Sequence, residues 1–341
     1  MKILYSSVHA VLEFDEVKLF TEMGHEVFSL GAYSNGGVGH FSLPRPSIGG
    51  MKEFPDFLKL SGEFPRRDLP QQLFEWADII INMHDPYFIV GNWEKIKSLG
   101  KANKTIQRFI GQSTATVENM IRPMRYEGMK IVRMSQKEES ITGFVGSDAL
   151  IRFYKDPEEW SGWTGNERRV INLSQSLKGR SLCHYDQIMQ AIEGFPALIY
   201  GVGNTDLGPL DGGRLSYDLI KGALRDNRVF IYGGTWPSPY TLALQEAMMS
   251  GIPVVAIGPE LANAVVPQND RWDYYEIPSI IKHGENGFYS DNMNDIRGCI
   301  AKLLDDHELA KRISAEGRKT AIRLWGKSKI MEEWKQFFEK L

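Results

Sequence analysis

The sequence predicts an α/β fold divided between two domains, and three observations carry the prediction. Short apolar runs suited to buried parallel strands (2–7, 252–257) alternate with segments whose apolar residues recur at helical spacing. The chain has 341 residues, long for one hydrophobic core and close to two domains of roughly 100–200 residues. Hydrophobic residues make up 42% and charged residues 24%, ordinary for a soluble globular protein.

Composition also narrows the function. A net charge of −3 gives no reason to expect wholesale nucleic-acid or membrane binding. Two cysteines, Cys183 and Cys299, lie far apart without metal-ligand spacing, so a disulfide framework is not expected and a reducing, cytoplasmic setting is. The opening Met-Lys-Ile-Leu-Tyr reads as a strand, not a signal peptide, and no apolar run reaches the ~18 residues of a membrane span.

In the first half, 2–7 is a strand, 13–23 a helix (Val17, Leu19, Phe20, Met23), Gly24 its stop and 25–30 the next strand. His9 follows the first strand, on the side where ligands lie in open α/β sheets, and also fits a plain polar loop residue. Residues 31–70 are rich in Gly, Pro and Ser and locally basic through Arg45, Lys52, Lys59, Arg66 and Arg67; a binding loop and a solvated one both fit. The strand 77–86 ends in His84-Asp85-Pro86, either polar contacts for a ligand or a loop-capping pair. Residues 104–110 and 130–135 are further strands, the first followed by Gly111-Gln112-Ser113. The run Lys95, Lys97, Lys101, Lys104, Arg108 reads as solvated surface, although a polyanion could use it. Residues 156–167, with Trp160, Gly162, Trp163 and Gly165, read as a linker.

The second half is organised around the stretch 236–258. Ser238 is a candidate N-cap and Pro239 fits the first helical position, where its missing N–H costs nothing. Gly251 can end the helix in a left-handed conformation before the strand 252–257. The amides of Tyr240, Thr241 and Leu242 would then point from a helix end whose dipole favours an anion such as a pyrophosphate. Glu246, seven residues after Pro239, falls on nearly the same face about 10 Å along the axis, where a carboxylate could accept hydrogen bonds from both ribose hydroxyls. A merely solvated Glu fits the isolated pattern as well. Around this stretch lie strands at 169–174, 197–204 and 227–234, the second ending in Gly201-Val-Gly203, and helices at 184–192, 291–307, 309–325 and 328–341. Residues 259–275 read as an insertion.

The run Ser238-Pro-Tyr-Thr-Leu-Ala-Leu-Gln-Glu-Ala-Met-Met-Ser-Gly-Ile-Pro-Val-Val-Ala resembles the donor-site signature of retaining GT-B glycosyltransferases of the group related to family four, in which two Glu flank seven residues. Glu246 matches the second Glu and Ser238 replaces the first. The stretch Glu276-Ile-Pro-Ser-Ile-Ile-Lys-His-Gly-Glu-Asn-Gly-Phe288 is similar to the segment that follows in the same enzymes. This resemblance covers about 168–341 and is weak before that. It implies two doubly wound, Rossmann-like domains facing a central cleft: an acceptor-side domain at 1–160, a nucleotide-sugar donor domain at 161–325 and a tail at 326–341 that packs back on the first.

The resemblance also implies roles. Lys178, before Gly179, would neutralise the donor pyrophosphate and stabilise the departing charge. Asn172 stands nearest the position of a second cation, with Arg180 a possible substitute. Gly203 would admit the base, and Ser238 sits where relatives grip the donor sugar. His84 and Asp85 would face the acceptor or transfer a proton, joined by His9, whose loop lacks the usual Gly-Gly pair, and by Gln112, where relatives have a His. The chemistry implied is metal-independent transfer from a UDP or GDP sugar, with no further cofactor. The acceptor stays open among saccharide, small molecule and modified DNA base. A nucleotide-sugar epimerase and a degenerate nucleotide-sugar-binding protein remain alternatives.

Overall fold

A computed structural model describes residues 1–31, 33, 47–48, 68–266 and 273–341. The basic positions Arg45, Lys52, Lys59, Arg66 and Arg67, and residues 267–272 of the segment read as an insertion, lie outside the described residues. The chain divides into two compact units, Met1–Tyr154 with Ile330–Leu341, and Lys155–Lys329.

In the first unit, strands β1 (Lys2–Ser7), β2 (Glu26–Ser29), β3 (Ile79–Met83), β4 (Thr105–Arg108), β5 (Lys130–Arg133) and β6 (Ala149–Leu150) form a parallel sheet in the order β2-β1-β3-β4-β5-β6. Every strand of this run except β6 is almost wholly buried; β1 to β3 are mainly apolar, while β4 and β5 also bury Thr105, Gln107, Arg108 and Arg133. Leu4, Phe28, Ile80 and Ile131 pack against Trp93 and Ile121 from the flanking helices Pro86–Ser98 and Ala115–Tyr126. The C-terminal helix Lys327–Phe338 brings Trp334 edge-on to Phe20, with ring centroids 5.0 Å apart.

Two arginines at the carboxyl ends of β4 and β5 are fully buried. Arg108 Nε donates to Glu16 Oε1 (2.9 Å), whose other oxygen accepts from the Tyr5 hydroxyl (2.6 Å). Arg133 grips both Glu118 oxygens at 3.0 and 2.9 Å and lies over the rings of Phe109 and Phe144. Beside it, Glu138 Oε2 accepts from the amides of Met134 and Ser135 (3.0 and 3.1 Å), while Oε1 has no hydrogen bond and stands 3.8 Å from Arg133 Nη1. Burial pushes this carboxyl up to about 7, against the opposing pull of Arg133 and the two amides.

The second unit holds β7 (Glu167–Leu173), β8 (Ala197–Tyr200), β9 (Asp211–Gly213), β10 (Asn227–Tyr232), β11 (Val254–Ile257) and β12 (Phe288–Ser290), parallel and in the order β12-β11-β10-β7-β8-β9. The chain steps outward from β7 to β9, then returns to the other side of β7, so direction reverses between β7 and β10. Ligands of open α/β sheets bind outside the carboxyl ends of such a strand pair. Val170, Ile199, Val229, Ile231 and Val255 form the core with Ile296, Ile300 and Leu303 of the helix Met293–Asp305.

Candidate functional site

The loops leaving β7 and β8 are stitched together. Ser176 N–H donates to Val202 O (2.7 Å), Leu177 N–H to Asn204 Oδ1 (2.9 Å), and Asn204 Nδ2 to Ser174 O (2.8 Å). Gly201 is required here, because a Cβ would fall 2.1 Å from Ser174 O at a φ of +151°. Gly203, at φ +80°, continues this turn. Lys178 stands exposed on the β7 loop, its ammonium 5.9 Å from the Tyr185 ring centroid. Arg180 is half-buried, with Nη1 3.4 Å from Gln175 O.

Asn172 belongs to the sheet and not to this loop. It is buried near the end of β7 and its Nδ2 donates to Ile231 O of β10 (2.9 Å), tying together the strands that flank the reversal. The Asn172 amide nitrogen therefore serves as a cross-strand link, while its Oδ1 is buried without a hydrogen-bond partner.

The central helix also begins later than its sequence predicts. It spans Leu242–Ser250 with Thr241 as N-cap and no side-chain cap, and ends as expected at Gly251 in the left-handed region (φ +94°). Ser238 is not the cap, because its hydroxyl donates to Tyr240 O (2.7 Å) and its own amide closes a turn on Thr235 O. Pro239 O accepts from Glu276 N–H (3.0 Å), which joins the two motif segments and holds 238–241 in turns. Of the three amides expected to face an anion, that of Thr241 donates instead to the Tyr232 hydroxyl of β10 (3.0 Å). The amides of Leu242 and Ala243 begin the helix with no acceptor among the described residues. An anion at this end meets these two donors and the helix dipole.

Glu246, one turn on, is buried at 5% exposure and not solvated. Its Oε1 accepts from Lys155 Nζ at 2.9 Å, with the lysine side chain 2% exposed. Nothing in local sequence marks Lys155, which lies 91 positions away. His184 was missed for the same reason. Left-handed at φ +58° and buried, it directs Nε2 to Ala262 O (2.8 Å). Burial lowers its pKa, so the ring is neutral and this nitrogen carries the proton. A small cleft opens beside His184, lined also by Thr235, Trp236, Ser238 and Tyr275.

In the first unit, register pairs Ser7 of β1 with Met83 of β3, so His9 and His84 leave neighbouring strands at one level, beside the sheet's reversal point. His84 is left-handed (φ +58°), its Nδ1 is buried without a hydrogen-bond partner, and burial lowers its pKa. His9 and Asp85 act as helix caps: His9 Nδ1 accepts from Leu12 N–H (3.3 Å) and Asp85 Oδ1 from the amides of Tyr87 and Phe88 (3.1 and 3.3 Å). Asp85 thus caps the helix Pro86–Ser98 through Oδ1. Gln112 is half-buried beyond β4.

The basic run does not form a free cationic surface. Lys95 binds Asp68, Lys97 binds Glu94 and Glu127, Lys101 donates to backbone carbonyls including Glu75 O, Lys104 to Leu341 O, and Arg108 is buried against Glu16. Among the described residues, no cluster of three or more His, Cys, Asp or Glu could hold a metal ion, and no helix is long and apolar enough to cross a membrane.

Neither a protein-family profile nor a curated protein sequence matches the chain. Solved structures do match. Sucrose-phosphate synthase from Thermosynechococcus elongatus aligns at a TM-score of 0.66 and 13% identity over 100% of this chain and 98% of that one. HepE from Anabaena, in complex with UDP-glucose, aligns at 0.68 and 14% identity over 100% of both chains. A glycosyltransferase from Rickettsia africae aligns at 0.67 and 12% identity over 99% of this chain and 98% of that one. At these identities the likeness concerns the fold, and the fold is GT-B: α/β, with two parallel six-stranded sheets and flanking helices.

Proposed function

We propose that the chain is a glycosyltransferase that moves a sugar from a nucleotide diphosphate sugar, of UDP or GDP type, to an acceptor, with retention and without a metal. The observation that carries the reading is the stretch 238–258, which has a donor-site signature in its sequence and folds into loop, helix and strand beside the β7–β10 reversal. The Anabaena HepE complex with UDP-glucose supports a uridine donor. As the bond between the anomeric carbon and the phosphate oxygen breaks, negative charge grows on the diphosphate. Lys178 and the amides of Leu242 and Ala243 stabilise that charge, with Arg180 and Gly203 bordering the same loops. Glu246 holds the ribose, Ser238 borders the donor sugar, and His84 is the polar group offered to the acceptor, with His9 and Gln112 following the neighbouring strands β1 and β4.

One observation favours a second reading, a nucleotide-sugar-binding protein without transfer activity: Asn172 supplies no cation and is engaged within the sheet. Donor hydrolysis separates the two. An epimerase would instead convert the sugar with no acceptor present. The engagement of Lys95 to Arg108 in internal contacts weighs against a DNA-base acceptor, which salt-sensitive duplex binding would reveal.

The test is thermal stabilisation by a panel of nucleotides and nucleotide sugars, for the wild type, Glu246→Ala and Lys178→Ala. Ligand at about 100 times its Kd adds roughly 2.7 kcal/mol. The expected result is one nucleotide diphosphate that stabilises the wild type and stabilises both variants less. No response to any member of the panel would overturn the donor-site reading.

A further inference from the structure

We propose that Lys155 is a positioning residue for nucleotide recognition, holding the Glu246 carboxylate oriented for the ribose; the inference rests on the reading of Glu246 above. Lys155 is fixed from three sides. Its amide donates to Trp325 O (2.9 Å), its backbone bridges to Gly326, and its ammonium lies 5.0 Å from the Trp160 ring centroid and 2.9 Å from Glu246 Oε1. The ion pair is almost wholly buried, at 2% and 7% side-chain exposure. Such pairs add little stability over an apolar replacement of the same volume, because desolvation offsets the attraction. What the pair provides is a carboxylate anchored on one oxygen by the Lys155 ammonium, so that its direction is fixed. An ionised acceptor makes the stronger hydrogen bond to a hydroxyl, and an acceptor fixed in advance needs no ordering when the ligand arrives. Lys155 thus acts through Glu246 and touches no ligand atom itself.

The experiment is calorimetric titration of the full chain with UDP and GDP and with their 2′,3′-dideoxy forms, which offer Glu246 no hydroxyl. A charge-assisted hydrogen bond to the ribose predicts a wild-type preference of about tenfold or more for the ribose form. In Lys155→Met the preference is expected to collapse to about twofold or less, while affinity for the dideoxy forms stays at the wild-type value. Unchanged dideoxy affinity is the readout that a merely structural role would not give. Lys155→Arg, which keeps the charge but presents a forked donor of different reach, decides the matter if the Met variant does not fold. It is expected to lose part of the preference with dideoxy affinity unchanged. Full wild-type preference in the folded variants, or equal weakening of ribose and dideoxy forms, would overturn the role of Lys155. A wild type that binds UDP or GDP without ribose preference would remove the role of Glu246 and this inference with it. A wild type that binds neither would remove the donor reading as a whole.

Discussion

Replacing Glu138 by Gln should abolish a specific pH dependence of stability in the first unit. Burial raises the Glu138 carboxyl from 4.5 to about 7 in the folded chain. Between these values the unfolded chain has lost the proton and the folded chain keeps it, so the folded state binds more protons and stability falls as pH rises. The contribution is fully present below about 4.5 and lost above about 7. At 1.36 kcal/mol per pH unit the whole change is about 3 kcal/mol, with no discount for solvent because the group is fully buried. Gln keeps the carbonyl that accepts from Met134 and Ser135 and places an amide where Oε1 has no partner. Hydrogen exchange of peptides spanning β5 and residues 134–138, run in wild type and Glu138→Gln from pH 4.5 to 8, reports on this unit. Subtracting the two cancels every other titrating group. The wild type should lose about 3 kcal/mol relative to the variant across the window. A difference that stays flat, or that rises with pH, would refute the protonated-carboxyl argument.

Three further outcomes are expected. Gly201→Ala should cost at least about 1–3 kcal/mol from backbone strain alone, and more from the close approach to Ser174 O; thermal unfolding would show it, together with a smaller nucleotide-induced shift. Tyr232→Phe removes the hydroxyl that accepts from Thr241 N–H and should lower stability by about 1 kcal/mol, visible as a lower melting temperature and weaker nucleotide binding. Lys178→Ala, at an exposed position, should leave stability within about 0.5 kcal/mol while reducing turnover and diphosphate affinity in a donor-hydrolysis assay.

What the sequence made legible was whatever depended on neighbours in the chain. The strand 2–7, the glycine stop at 251 and the strand after it follow from apolar runs and from the one residue type that tolerates a left-handed φ. The start of the central helix was misplaced by three residues. Ser-Pro is a good local signal, but Glu276 draws Pro239 O into a different turn and the Tyr232 hydroxyl takes the Thr241 amide. Both partners come from other elements. The environment of Glu246 was out of reach for a similar reason, since its cation arrives from a distant segment. The basic run, read as solvated surface with a polyanion site as the alternative, left open which acids and carbonyls its lysines meet, because those partners come from other segments.

The bridge between Lys155 and Gly326 means that the chain enters and leaves the second unit side by side. A segment whose ends meet asks little of the chain that hosts it when it is exchanged, duplicated or permuted. Residues 155–329 are therefore a cassette in the genetic sense. New termini opened at the exposed turn Glu193-Gly194, with the old ends joined by a short polar linker, should leave its sheet order intact.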